Sequence, residues 1–292
     1  MSSARGLILV TAAAGNQGRH LVPRLVAAGH DVRAVVATEA SAETVRAWGV
    51  ADAVAADLSE RAAVDAVMAD VERVYHVGPT LHPHERAMGM HVVDSAREHG
   101  VGHVVLSSVL HAVLTDLVQH EIKRDVEEHL IGSGLEYTIL QPANYMLPLK
   151  LRPVVERGVF ELSWSLDRRQ SMVDLADVAE VAASVLADPG PHAAATYELV
   201  APGRFTAHEL AQIISGVVGR EVPAVQIDAD DYLRAWVGDA DPSEVSHQLA
   251  VLRSITSTYS RQDFVGNPNV LTWLLGREPT TFEQFVRREL AP

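Results

Sequence analysis

Small residues follow the first apolar run of the chain, Leu7 to Val10, and lead directly into a candidate helix. Gly15 lets a phosphate group approach the backbone at this turn, and Gly18 lets the helix pack close to a sheet. A helix N-terminus supplies unpaired N–H groups and the positive end of the helix dipole, which together favour a pyrophosphate. The turn therefore predicts dinucleotide binding, although Ala12 replaces the first glycine of the Gly-x-Gly-x-x-Gly pattern. An ordinary strand-to-helix turn without a ligand is the alternative.

Length and charge limit the classes of protein to which this chain can belong. Its 292 residues suit one large domain, or a nucleotide-binding domain with a smaller lobe. A formal net charge of −14 at pH 7 argues against binding nucleic acid or a membrane surface, because both require a basic protein surface. The chain has no cysteine, which excludes disulfides and thiolate chemistry. We expect a cytoplasmic protein with a small-molecule substrate, and we leave a homodimer or a protein partner open.

Apolar strands alternate with amphipathic helices through the first half of the chain. After the first strand, the pattern predicts strands at 31–36, 50–56, 74–77, 101–107 and 135–140, and helices at 41–48, 59–69, 85–99 and 116–131. Ser41 and Ser59 are the expected N-caps of the first two of these helices. Continuously apolar strands with helices between them indicate a doubly wound parallel sheet, an α/β Rossmann fold that binds ligands at the carboxyl ends of its strands.

The alternation ends after Pro142, where prolines and glycines become frequent. We predict a dinucleotide-binding domain over residues 1–150 and a smaller, mostly helical substrate lobe over residues 151–292. A helix at 174–187 and a strand at 196–200 are expected to pack back on the first domain. Thr206 predicts a helix N-cap, and Thr280-x-x-Glu283 predicts a capping box for the last helix.

Seven short motifs stand in a fixed order along the chain. They are Val10 to Gly18, Gly29 to Ala34, Asp57-Leu58, Gly78-Pro79, Ser107 to His111, Lys123-x-x-x-Glu127 and Tyr137 to Pro142. Their order and spacing resemble the NmrA-like branch of the atypical short-chain dehydrogenases, over about residues 5–200. The resemblance implies a Rossmann domain with a small C-terminal lobe, binding of NADP or NAD, and either reductase activity or redox sensing without catalysis.

The resemblance also implies which residues contact the cofactor. They follow the carboxyl ends of the predicted strands and are Thr11, Ala12, Gly15, Asn16, Gln17, Gly18, Asp57, Leu58, Gly78, Pro79, Ser107, Lys123, Pro142 and Asn144. The choice between NADP and NAD stays open, because neither an arginine nor an acid stands squarely at the end of the second strand, Ala37 to Glu39. The family favours NADP. Arg19 is placed to reach a phosphate, whereas Arg33 is expected to point elsewhere.

Short-chain dehydrogenases take their proton from the tyrosine of a Tyr-x-x-x-Lys pair, whose lysine holds the cofactor ribose. Lys123 matches the lysine, but Gln119 replaces the tyrosine and cannot act as a general acid. The proton must then come from solvent or from another side chain, for which His120, His111 and Tyr145 are the candidates, while Ser108 is placed to face the nicotinamide or the substrate. The two histidines are expected to titrate near neutral pH. Packing, capping or an aromatic lining role is the alternative for each of the four.

Histidines and tryptophans outside these motifs suggest two further roles. The sequence His82-Pro83-His84 invites a metal ion, but the proline breaks any regular face and we expect no metal site. The indoles of Trp164, Trp236 and Trp273 are candidates for the wall of an apolar pocket, with core packing as the alternative.

The sequence thus predicts an NAD(P)-dependent oxidoreductase that acts on a small apolar or aromatic carbonyl, quinone or enone. Two alternatives stay open. A regulatory protein that senses NAD(P) without catalysis would explain Gln119. A dehydratase, isomerase or cyclase on the same scaffold would use His111 or His120 as its base.

Overall fold

Eleven strands and twelve α-helices make up the part of the chain that the computed structural model describes, residues 6–237 and 245–290. The strands are β1 (Leu7–Val10), β2 (Val32–Val36), β3 (Asp52–Ala55), β4 (Val71–Val77), β5 (His103–Ser107), β6 (Tyr137–Pro142), β7 (Asn144–Met146), β8 (Phe160–Leu162), β9 (Met172–Asp174), β10 (Ala195–Leu199) and β11 (Ala224–Gln226). The helices are α1 (Gly18–Ala27), α2 (Glu39–Arg46), α3 (Arg61–Met68), α4 (Glu85–Glu98), α5 (Val118–Gly132), α6 (Arg152–Arg157), α7 (Leu175–Ala187), α8 (Ala207–Val218), α9 (Ala229–Val237), α10 (Ser246–Arg261), α11 (Asn269–Leu275) and α12 (Phe282–Leu290). None of these helices is long and apolar enough to cross a membrane.

Seven parallel strands form the central sheet, in the order β10-β6-β5-β4-β1-β2-β3. The first strand, β1, pairs with β2 on one side and with β4 on the other. The winding direction therefore reverses at β1, and the turns after β1 and β4 open a crevice at the carboxyl ends of the strands. This topology confirms the predicted doubly wound α/β fold.

Alternate side chains of the strands belong to two apolar cores, one on each face of the sheet. Ile8 and Val10 lie in one core together with side chains of α1, α2 and α7. Leu9 lies in the other core, with side chains of α3, α4 and α5. Because both faces of the central sheet are covered, the inner strands carry apolar side chains on both sides, and polar residues such as Glu72 and Arg73 stand near the start of a strand.

The chain after Pro142 completes the sheet as well as building the outer lobe. Strand β10 pairs in parallel with β6, and α7 packs against α1. The Asp174 side chain caps α7 by accepting a hydrogen bond from the Ala176 N–H at 2.8 Å. The expected helix and strand of this segment are thus present within one residue of their predicted starts. The division of the chain at residue 150 stays a prediction.

Two of the predicted N-caps are wrong: the cap of α2 lies three residues before Ser41, and the cap of α3 lies one residue after Ser59. Helix α2 is capped by Thr38, whose side chain accepts a hydrogen bond from the Ser41 N–H. Ser59 lies before α3, where its N–H and its hydroxyl both donate to the Asp57 carboxylate at 2.9 and 2.7 Å. In both places an earlier side chain closes a local turn and thereby moves the start of the helix.

The N-cap predicted at Thr206 is confirmed and forms a capping box with Glu209, whereas the capping box predicted at Thr280 is displaced by one residue. The Thr280 N–H donates to the buried carboxylate of Asp177 on α7 at 2.6 Å. Thr281 and Gln284 then form the reciprocal hydrogen bonds at the start of α12. A tertiary contact to α7 therefore sets the frame of the last helix.

Candidate functional site

A cavity of about 460 Å³ opens at the carboxyl ends of the central strands. Its inner wall consists of the turns after β1 and β4, the ends of β5 and β6, and one face of α5. Its outer wall comes from the second half of the chain and includes an aromatic wall made of Trp164, Tyr232, Tyr259 and Phe264. A cavity of this size, apolar with a few convergent polar groups, is typical of a small-molecule site.

The turn between β1 and α1 has little room for a side chain at either of its two glycines. A Cβ on Gly18 would lie 2.1 Å from the Ala13 carbonyl oxygen, and a Cβ on Gly15 would lie 3.0 Å from the Ala12 carbonyl oxygen. Ala12 itself adopts a left-handed backbone with φ of 46°. The turn leads into a ten-residue helix, whose first N–H groups have no partner within the helix, and this arrangement fits the pyrophosphate of a dinucleotide.

Gln17 joins this turn to the neighbouring strands. Its amide nitrogen donates to the Ser107 hydroxyl at 2.9 Å and to the Tyr145 hydroxyl at 2.6 Å, and its amide oxygen accepts from the Tyr75 hydroxyl. Burial raises the pKa of Tyr145 to about 12 and raises the pKa of Tyr75 as well. The Tyr145 phenol therefore stays protonated at neutral pH, on the wall of the cavity.

A buried ion pair holds Lys123 at the bottom of the cavity. The Lys123 ammonium lies 2.7 Å from a carboxylate oxygen of Glu85, the first residue of α4. The side chains of Lys123 and Glu85 are 7% and 2% exposed, so each buried charge is stabilised by the opposite charge of its partner. A Cβ on Gly78 would lie 2.8 Å from Glu85 Oε1 and 3.1 Å from Lys123 Nζ. The ion pair therefore requires the glycine in the turn after β4.

Most of the predicted site residues meet at this cavity. Those that line it are Ala12, Gly15, Asn16, Gln17, Gly78, Pro79, Ser108, Lys123, Pro142, Asn144 and Tyr145. Those that do not are Thr11, Gly18, Ser107, Asp57, Leu58, His111 and His120. The first three of these support the wall from behind; the Thr11 hydroxyl, for example, accepts the Val77 N–H at 3.0 Å and ties β1 to β4. Asp57 and Leu58 follow β3, the edge strand of the sheet.

The two histidines predicted as proton donors are not on the cavity wall. His120 is fully buried, its Nδ1–H donates to the His111 carbonyl at 2.9 Å, and burial lowers its pKa to about 4. His111 places Nε2 2.9 Å from the Val265 carbonyl oxygen and Nδ1 3.5 Å from a Glu198 carboxylate oxygen. Phe264 packs edge-on against both imidazoles and lines the cavity in their place. The expectation that His120 titrates near neutral pH is therefore wrong.

Three polar groups of the cavity wall have no hydrogen-bond partner within the described residues. They are the Ser108 hydroxyl, the indole N–H of Trp164 and the side-chain oxygen of Gln119, the residue that stands where a catalytic tyrosine was expected. Buried polar groups are normally hydrogen-bonded. Unused hydrogen-bonding capacity on a cavity wall is therefore available to a ligand.

Several residues of the cavity wall were not predicted from the sequence. Lys150, Tyr232, Tyr259 and Phe264 carry no motif and reach the cavity only because the second half of the chain folds over the sheet. Of the tryptophans considered, Trp164 lines the cavity and Trp273 is 73% exposed. The side chain of Trp236 lies outside the described part of the structure. An acidic partner such as Glu85 could have been predicted, because a lysine buried in a cofactor site requires a counter-ion.

The histidine-rich turn after β4 is built from local contacts. The His84 N–H donates to the His82 ring at 3.1 Å, and the two imidazoles pack edge-on. Across the described ranges, three or more histidine, aspartate or glutamate side chains are nowhere grouped as a metal site requires.

Comparison with known proteins identifies the family. The profile of the NmrA-like family matches residues 4–286, so the chain belongs to this family. It is 28% identical to an NAD(P)H azoreductase from Xenophilus azovorans, over 98% of each chain. Among solved structures, it resembles the NADPH-dependent quinone oxidoreductase of Escherichia coli bound to NADPH, with a TM-score of 0.80, 24% identity and coverage of 96% of this chain and 99% of that one. It also resembles the triphenylmethane reductase of Citrobacter sp. bound to NADP(H), with a TM-score of 0.80, 23% identity and coverage of 97% and 99%.

Proposed function

We propose that the protein is an NAD(P)H-dependent reductase of flat aromatic acceptors of the quinone type. The observation that carries the proposal is one continuous cavity that joins the glycine turn after β1 to the aromatic wall. A dinucleotide on the turn and a flat ring against the aromatic wall would share this cavity. Three similar proteins are named as an azoreductase, a quinone oxidoreductase and a triphenylmethane reductase, which supports a reductase with an aromatic acceptor.

Several residues of the cavity wall have a proposed role that follows from their chemistry. The N–H groups at the start of α1 would bind the pyrophosphate, and the Lys123 ammonium would donate to the ribose hydroxyls. Bound NAD(P)H supplies the hydride, a step for which the protein provides position and electrostatics. Ser108 and Gln119 offer free hydrogen-bonding groups to the acceptor, and the Tyr145 phenol donates the proton that the reduced oxygen requires.

The first test measures cofactor binding by calorimetry with NADPH and NADH. Gly15→Val places a branched side chain over the turn and should abolish binding, because the phosphate can no longer approach the backbone. Gly216→Val is the matched control, since a Cβ there meets nothing within 4 Å. If the unmodified protein binds neither nucleotide at millimolar concentration, the proposal is wrong.

The second test follows oxidation of the reduced nicotinamide with a panel of quinones, azo dyes and enones. We expect turnover with at least one flat aromatic acceptor. Tight cofactor binding without turnover on the whole panel would instead support an NAD(P)-sensing regulator. The favouring observation is Gln119, which stands four residues before Lys123, where the Tyr-x-x-x-Lys pattern has its tyrosine.

A further inference from the structure

Both lysines of this chain line the cavity. The chain has 24 lysines and arginines, of which only Lys123 and Lys150 are lysines. No arginine in the described ranges contributes to the cavity wall. Lys123 has its charge balanced by Glu85. Lys150 lies at the other end of the cavity, next to the aromatic wall, and has no role in the cofactor chemistry proposed above.

Lys150 has no counter-ion among the described residues, although carboxylates are present beside it. Lys150 also lines a small adjoining pocket, together with Glu156 and Glu161. Each of these carboxylates is already paired, Glu156 with Arg152 at 2.6 Å and Glu161 with Arg157 at 2.6 Å. Burial lowers the pKa of Lys150 to about 8, so its ammonium remains mostly charged at neutral pH. A partly buried, unpaired cation is costly unless an anion binds to it.

On the side of the cavity, the surroundings of Lys150 are aromatic. Its Nζ lies 6.0 Å from the centre of the Trp164 ring, which packs edge-on against Tyr232 and Tyr259. The indole N–H of Trp164 is buried and has no acceptor within the described residues. Two donors without acceptors therefore lie beside a surface suited to a flat ring.

We propose that Lys150 binds the acidic substituent, a carboxylate or a sulfonate, of an aromatic substrate whose ring packs against Trp164 and Tyr259. The inference rests on the proposed reductase function, because it is that reaction which makes the aromatic ligand a substrate. A local cation is required for such a ligand, since the net charge of −14 repels anions elsewhere on the molecule. Lys150 is thus a specificity-determining residue, and the preferred acceptor is an aromatic acid.

The test compares a naphthoquinone with the same ring carrying one sulfonate, both reduced by the NAD(P)H-loaded enzyme. The readout is the ratio of kcat/KM for the sulfonate to kcat/KM for the neutral quinone. Lys150→Met should lower this ratio about ten- to a hundredfold, which is the value of one charge-assisted hydrogen bond. Lys150→Arg should keep most of the preference because it keeps the charge. The double variant Arg152→Met/Glu156→Gln removes a neighbouring ion pair without leaving a free carboxylate beside Lys150, and should leave the ratio unchanged.

Calorimetric binding of a naphthalene sulfonate to the same variants separates this inference from the proposed function. Binding that depends on Lys150, without reduction of either quinone, would support the anion site and contradict the reductase. Reduction of both quinones with a ratio that Lys150→Met does not change would overturn the anion site alone. Thermal unfolding of each variant checks that the variants are folded.

Discussion

Gln17 is the residue on which the inner wall of the cavity depends. Its amide nitrogen and oxygen reach Ser107 on β5, Tyr145 on β7 and Tyr75 on β4. A side-chain amide offers two donors and one acceptor oxygen, so three neutral hydroxyl groups satisfy it. This arrangement fixes the Tyr145 hydroxyl at the cavity wall, where a mobile phenol would be a poor proton donor.

The first residue-scale prediction concerns the proton donor. Tyr145→Phe should lower kcat by about 10²–10⁴-fold, the range typical of general acid catalysis, with little change in cofactor affinity. Tyr137→Phe, which removes a hydroxyl from β6 outside the cavity lining, is the matched control and should turn over normally. Steady-state kinetics of both variants decide the matter, and a normal rate in Tyr145→Phe would mean that solvent or an ammonium supplies the proton.

The second residue-scale prediction separates stability from affinity at Lys123. Lys123→Ala should both weaken cofactor binding and lower the free energy of unfolding by about 3–5 kcal/mol, because it leaves the Glu85 carboxylate buried without a partner. The double variant Glu85→Gln/Lys123→Met removes both charges and should regain most of the stability. It should still bind the cofactor about ten- to a hundredfold more weakly than the unmodified protein. Urea unfolding and calorimetry measure the two quantities, and recovery of affinity in the double variant would show that Lys123 does not bind the cofactor.

At the scale of elements, the turn between β1 and α1 carries backbone strain. Ala12 has φ of 46°, a conformation that costs an alanine about 1–2 kcal/mol and a glycine almost nothing. Ala12→Gly should therefore raise the melting temperature and retain cofactor binding. Ala13→Gly, one residue later and without a positive φ, should lower it by removing a buried methyl group. Equal destabilisation by both substitutions would show that Ala12 is not strained.

The elements themselves follow from sequence periodicity, because the pattern of apolar residues is set by the two covered faces of the sheet. Their exact starts do not, since they depend on contacts between distant segments. Thr280 fits a capping box as well as Thr281 does, and only Asp177 on α7 decides between them.

The residues of the candidate site were likewise only partly predictable from the sequence. Residues near the glycine turn were predictable from motifs, whereas His120 was misplaced because burial and the insertion of Phe264 cannot be read locally.

For the whole molecule, three buried histidines link stability to pH. Burial lowers the pKa of His76 to about 3 and the pKa values of His103 and His120 to about 4, against 6.5 for an unburied histidine. At a pH between the lowered pKa of the folded state and 6.5, the unfolded chain binds more protons than the folded one. The free energy of unfolding therefore falls as the pH falls through this range. Each histidine contributes at most about 1.4 kcal/mol per pH unit. Their contribution is complete above about pH 6.5 and is lost progressively towards pH 4.

Urea unfolding between pH 7 and pH 5 tests this linkage. The free energy of unfolding of the unmodified protein should fall steadily as the pH falls below about 6.5. His103→Gln should reduce the slope of this dependence, because one histidine fewer takes up a proton on unfolding. The exposed His208 provides the matched control, because His208→Gln should leave the slope as it is. A slope that is the same in both variants would contradict the linkage at His103.

The scarcity of lysine has a practical consequence for following this molecule in solution. Isotope-labelled lysine would give side-chain NMR signals from two residues only, one at each end of the cavity. A single substitution assigns both signals, and under the proposals above the Lys123 signal would report on the nucleotide and the Lys150 signal on the acceptor. Order of binding, residence times and communication between the two ends can thus be observed directly, in a chain where every other cation is spectroscopically silent.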